Sequence, residues 1–121
     1  MKGVIDNIDV RARSDGKWEL LEDFDWYEIT VPKGFLSDFA SIPRIFWAIL
    51  HPTDSKILAA SLTHDFIYSK HGKLKDRTLS RKDCDKIFLK IMQTVGLGWF
   101  KRTMAYNAVR VFGGFAWRRG D

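Results

Sequence analysis

His64 and Asp65 stand side by side in "SLTHDFIYSKH" (61–71), with Tyr68 about one helical turn further on, inside a run that is otherwise apolar. Asp85 lies downstream in "RKDCDK" (81–86), directly after Cys84. A histidine held by a buried carboxylate works as a general base, because the carboxylate fixes the tautomer and stabilises the imidazolium. A second carboxylate that can act separately is what a hard cation takes as an oxygen ligand. The same side chains can instead form a satisfied structural network. Both readings demand the same positions, so the elements that carry these residues decide whether either is open.

Helical geometry groups them. At about 100° per residue, His64, Asp65 and Tyr68 share one arc with Ile57, Leu58 and Ser61. The rest of that helix, including Ala59, Ala60, Leu62, Phe66 and Ile67, is apolar nearly all round, which marks it as central. Its polar groups must then meet polar partners, since an unpaired buried carboxylate is costly. On the next helix Cys84, Phe88, Ile91, Met92 and Val95 form an apolar arc that includes Asp85, whereas Asp83 falls on the outer side with Lys86 and Lys90. Two helices joined by a loop of about nine residues are expected to pack antiparallel. Asp85 then reaches His64.

The 121 residues suit a single domain, 1–121, β-rich over 1–34 and helical over 35–121. A hydrophobic share of 45% with 14% aromatic residues excludes a mainly disordered chain. The stretch "VIDNIDVRAR" (4–13), the turn residues "SDGK" (14–17) and "WYEITV" (26–31) predict a hairpin or small sheet, with "LLEDFDW" as an irregular connection. The stretch 34–44 lacks a period and reads as a structured loop. Helices are predicted from about Pro43 to Leu50 with Ser41 as cap, over 55–70 capped by Thr53 or Asp54, over 80–95, and from Trp99 to Phe112. Ser80 with Asp83 gives a short-armed capping box for the third, and the tail from Phe115 reads as irregular. The fold expected is α+β, mainly helical, with the 55–70 and 80–95 pair at its core.

The segments "VPKGFLSDFASIPR", "LTHDFIY", "SRKDCDKIFLKIM" and "MAYNAVRVFGG" together resemble a family of small proteins of tailed bacteriophages and prophages. The shared pattern is Gly-Phe-x-Ser/Thr-Asp-x-Ala-Ser-x-Pro, then His-Asp-x-x-Tyr, then an Asp-x-x-Phe helix. It runs from about Val31 to Phe112 and implies a phage origin more than an activity. Over about 30 residues the helix pair is also similar to the active-site core of secreted phospholipases A2. That resemblance implies His64 as the base activating water, Asp85 as the group orienting it, Tyr68 hydrogen-bonded to Asp85, and Asp65 as a calcium ligand. The chain departs from the second pattern in two ways. Its one cysteine allows no internal disulfide, and the stretch in place of a glycine-rich calcium loop has only Gly34, with Ser37, Asp38 and Ser41 around it.

Two functions from different classes follow. One is a phage-encoded hydrolase with a His64–Asp85 dyad, a calcium-dependent phospholipase acting on membrane lipid in lysis or envelope passage, with Asp65 and Asp38 on the metal. The other is a non-catalytic phage accessory or virion protein that binds a host or phage protein. On that reading the cluster positions the 37–43 loop, and Asp38 and Ser41 brace it. A serine nucleophile at Ser37 or Ser41 lacks the Gly-x-Ser-x-Gly elbow. The net charge of +5 favours anionic partners, and Lys101, Arg102, Arg110, Arg118 and Arg119 form a basic patch, without a nucleic-acid motif. Phe46, Trp47, Phe66, Phe88, Trp99, Phe100 and Phe112 are expected in the core, His51 and His71 on the surface, and Cys84 buried. Trp18, Trp26, Trp99 and Trp117 cannot all be buried in so small a body. With no signal pattern and no apolar run of spanning length, the expected location is the host cytoplasm or the virion.

Overall fold

The computed structural model describes residues 8–26, 29–39, 42–51 and 57–119. The polar turn at 13–17 folds β1 (Val10–Ala12) antiparallel onto β2 (Trp18–Leu20), pairing Val10 with Leu20 and Ala12 with Trp18. Gly16 sits at φ 85° in this turn, a left-handed conformation that residues with a Cβ rarely adopt. A second hairpin joins β3 (Phe24–Trp26) to β4 (Ile29–Val31). Its period-2 alternation buries Phe24, Trp26, Ile29 and Val31, while Asp25 and Thr30 face outward and Thr30 Oγ1 donates to Asp25 Oδ1 at 2.6 Å. The segment read as an irregular connection is thus partly strand. Its alternation is only three residues long and flanked by acids, so the signal is short.

The stretch read as a loop also supplies a strand. β5 (Leu36–Ser37) pairs antiparallel with the second edge of β2, giving a three-stranded sheet of order β1-β2-β5. Two residues are too few to show a period, but they place Ser37 at the sheet edge facing the helices. The fold is therefore α+β, as expected, with two small antiparallel sheets preceding the helices.

A 3-10 turn at Arg44–Phe46 leads into α1 (Trp47–Leu50). α2 (Leu58–Ser69) follows, then α3 (Arg81–Thr94), α4 (Trp99–Phe112) and α5 (Gly114–Arg119). α2 is buried along most of its length and packs chiefly on α3, α3 also packs on α4, and α5 lies against α2 and α4. Ser80 caps α3 by accepting from the Asp83 N–H at 3.1 Å. The expected caps Ser41, Thr53 and Asp54 lie outside the described residues, as does the start of the first predicted strand. The loop between α2 and α3 turns through Gly72 at φ 74°. A Cβ there would meet the Leu79 carbonyl oxygen at 2.0 Å. The tail is α5 rather than irregular: Gly113 keeps a right-handed conformation at φ −70°, so the chain turns without leaving helical geometry. Trp117 holds α5 down by packing edge-on against Tyr68 and His71.

Burial follows the arcs in α2 and α3: Leu62, Ile67, Cys84, Phe88, Ile91 and Met92 are fully enclosed, with Asp83 exposed and Asp85 buried. Three aromatics expected in the core are not there. Trp99, Phe100 and Phe112 are exposed because α4 turns Ala105, Ala108 and Val109 inward instead. Of the four tryptophans at issue, Trp26 is buried, Trp18 and Trp117 are half-buried and Trp99 is exposed. His51 is exposed, whereas His71 is half-buried against Trp117.

Candidate functional site

α2 and α3 bring the predicted cluster together. His64 Nε2–H donates to Asp85 Oδ1 at 2.6 Å, and the Tyr68 hydroxyl donates to the same oxygen at 2.5 Å. Pairing of His64 with Asp85, and of Tyr68 with Arg81 one turn earlier on α3, requires the two helices to run antiparallel. Because the acceptor is a carboxylate, the ring proton must sit on Nε2. The His64 ring lies between those of Tyr68, at a centroid distance of 4.1 Å, and Phe88, at 4.7 Å.

Two arginines complete the network, and neither was singled out for it from sequence. Arg110 Nη1 on α4 donates to Asp85 Oδ2 at 2.7 Å. Arg81 Nε donates to the Tyr68 hydroxyl at 3.2 Å, while its Nη2 donates to the last carbonyls of α4, Val109 O at 2.7 Å and Arg110 O at 2.9 Å. Arg110 is therefore turned partly inward rather than belonging to a surface patch. A signal for it existed: a carboxylate on an apolar arc needs a cation, and residues 86–120 contain no acid to compete for one.

Burial and polar partners pull the Asp85 carboxyl in opposite directions. Desolvation raises it, but the hydrogen bonds and charge of His64, with Tyr68 and Arg110, outweigh that and hold it below the ordinary carboxylate range. Desolvation, reinforced by the Asp85 charge, pushes the Tyr68 hydroxyl strongly upward, so it stays a donor. Burial likewise pushes the Cys84 thiol up to about 12, which leaves it an inert packing group as expected.

His64 and Asp85 are both 0% exposed. A general base must reach the proton it abstracts directly or through one water. His64 has the orienting half of that arrangement, but it is fully buried between α2 and α3.

Asp65 is half-buried and turns to the loop after β5. Its Oδ2 accepts from the Ser37 hydroxyl and from the Phe39 N–H, the latter at 3.1 Å. Phe39 N–H also meets Ser37 Oγ at 3.1 Å. Phe39 holds φ 55°, an unusual left-handed conformation for a bulky residue, while its ring is fully buried. Asp65 thus clamps β5 and the following turn to α2. Of the predicted metal pair, Asp38 is half-buried in this turn and Asp65 is the clamp. Calcium takes six to eight oxygen ligands. The Asp65 oxygen already faces an O–H and an N–H donor, and the described residues contain no group of three acidic, histidine or cysteine side chains able to hold a metal. Ser41, the other oxygen donor considered, lies outside the described residues.

Among the described residues no helix is long and apolar enough to cross a membrane. The pattern of the family described as "Protein of unknown function (DUF1353)" matches residues 18–109, which include the whole His64–Tyr68–Asp85 cluster and stop one residue before Arg110. No curated protein and no solved structure matches the chain.

Proposed function

We propose, from the premise that this chain belongs to the DUF1353 family, that it is a non-catalytic accessory protein that works by binding. The observation that carries this reading is the complete enclosure of His64, together with an Asp85 carboxylate that already accepts from His64, Tyr68 and Arg110. Such a network locks α2, α3 and α4 to one another, and Asp65 locks the sheet edge to α2. What remains for function is the surface that this frame holds rigid. A phage or prophage setting, in the host cytoplasm or as part of the virion, belongs to the same proposal and rests on the resemblance of the Val31–Phe112 pattern.

A second reading keeps one specific observation in its favour. The contacts of His64 and Tyr68 with Asp85 are those implied by the phospholipase A2 resemblance. Under it, a calcium-dependent ester hydrolase would act on membrane lipid, with His64 as base. One assay separates the two: release of fatty acid from phospholipid vesicles by the purified chain, with and without millimolar calcium, against His64→Gln. The binding reading expects no turnover that depends on His64. Calcium-dependent turnover by the wild-type chain, lost in a folded His64→Gln, overturns it in favour of the hydrolase.

A further inference from the structure

We infer that the outer face of α4 and α5 is a docking surface for an anionic phospholipid bilayer; this rests on the binding reading above and names its partner. Trp99 (68% exposed), Phe100 (61%) and Val111 (71%) stand out from α4, and Phe115 (64%) from α5. Phe100 and Val111 are eleven residues apart, about three turns, so they lie within roughly 20° on one face about 16 Å long, with Met104 half-buried between them. Phe100, Met104 and Val111 thus form one apolar stripe along α4, and contiguous exposed apolar surface marks an interaction site.

The charges around this surface identify what covers it. Residues 99–119 contain Lys101, Arg102, Arg110, Arg118 and Arg119 and no aspartate or glutamate. Arg110 is committed to Asp85, but Lys101 and Arg118 are exposed and Arg102 is half-exposed. A second copy of this chain would bring one acid-free basic face against another, with a net charge of +5 on each molecule. An anionic surface is complementary instead. Apolar side chains rising from convex helix faces between cations match a headgroup layer, where the rings enter the acyl boundary and the cations meet phosphate.

The test is flotation of the full chain with phosphatidylcholine vesicles, with and without one-third phosphatidylglycerol. The chain is expected to float with the anionic vesicles and to dissociate as salt is raised, with a blue shift of tryptophan emission that a Trp99→Phe variant lacks. Lys101→Glu, and separately Phe100→Ser with Val111→Ser, are each expected to weaken partitioning at least about tenfold without lowering the melting temperature. No flotation with anionic vesicles overturns the inference, as does equal partitioning by both variants. Capture of an acidic protein by this face without vesicle binding overturns it as well. Any of these leaves the His64 assay to judge the binding reading separately.

Discussion

Arg110 on α4 and Asp85 on α3 are joined by a 2.7 Å charge-assisted hydrogen bond whose carboxylate end is fully buried. That bond turns a two-helix His–Asp–Tyr contact into a three-helix junction. Arg81 reinforces it by reaching from Tyr68 to the carbonyls that end α4. Asp85 is therefore the acceptor for donors from α2 and α4, and the consequences of changing it differ from those of changing its neighbour.

Asp85→Asn leaves the shape nearly unchanged but removes the charge that Arg110, His64 and Tyr68 address. It is expected to destabilise the fold by about 3 kcal/mol, in the range for breaking one side of a buried ion pair. Arg110→Met, at a partly exposed position, should cost about 1–2 kcal/mol. Asp83→Asn, on the outer side of the same turn, should stay within about 0.5 kcal/mol. Urea denaturation of the three variants checks the order; equal losses at Asp83 and Asp85 would show that Asp85 is no junction.

Acid should unlock the same junction. The folded-state Asp85 carboxyl lies below its ordinary value of 3.8, so in that region the unfolded chain binds the proton first. The stability due to Asp85 is present in full above that value and is lost as pH falls through the folded-state pKa. Melting temperatures of the wild type should decline steeply below about pH 4, and those of Asp85→Asn less steeply. Parallel declines in the two proteins would remove Asp85 as the cause.

The part of this junction that was legible in sequence is the part written in helical period. His64, Tyr68 and Asp85 fall on apolar arcs of two long helices, and that period, with the short loop that sets the helices antiparallel, brings them together. Arg81 was not legible, and Arg110 showed only as the cation that a carboxylate on an apolar arc requires, because long flexible side chains reach the core from the margin of a helix and leave no period of their own. Asp65 was assigned to the face that meets the loop around Asp38, and its bonds to Ser37 and the N–H of Phe39 lie either side of that residue. That N–H is aimed by a left-handed φ that no residue type at position 39 announces. α5 was hidden behind the Gly113-Gly114 pair, whose composition signals a stop although Gly113 retains helical dihedrals. Exposure of Trp99 and Phe100 was likewise set by which face of α4 the rest of the fold accepted.

Calcium offers an independent check on Asp65. A ligand that binds only the native state raises the melting temperature with concentration. With Asp65 engaged by Ser37 and Phe39, millimolar calcium is expected to leave the melting temperature unchanged. Ser37→Ala should instead lower stability by about 1 kcal/mol through loss of the clamp. A calcium-dependent rise, abolished by Asp65→Asn, would reinstate a metal at this position.

The central claim is that His64 is a locked structural residue, and the ring nitrogens of His64 report on it directly. In nitrogen-15 spectra of the histidine side chains, His64 is expected to show an Nε2–H proton bonded to a carboxylate and slow to exchange with water, as its 2.6 Å bond to Asp85 and its full burial require. An Nε2–H of His64 that exchanges as fast as that of the exposed His51 would mean that solvent reaches the ring, and would contradict the account.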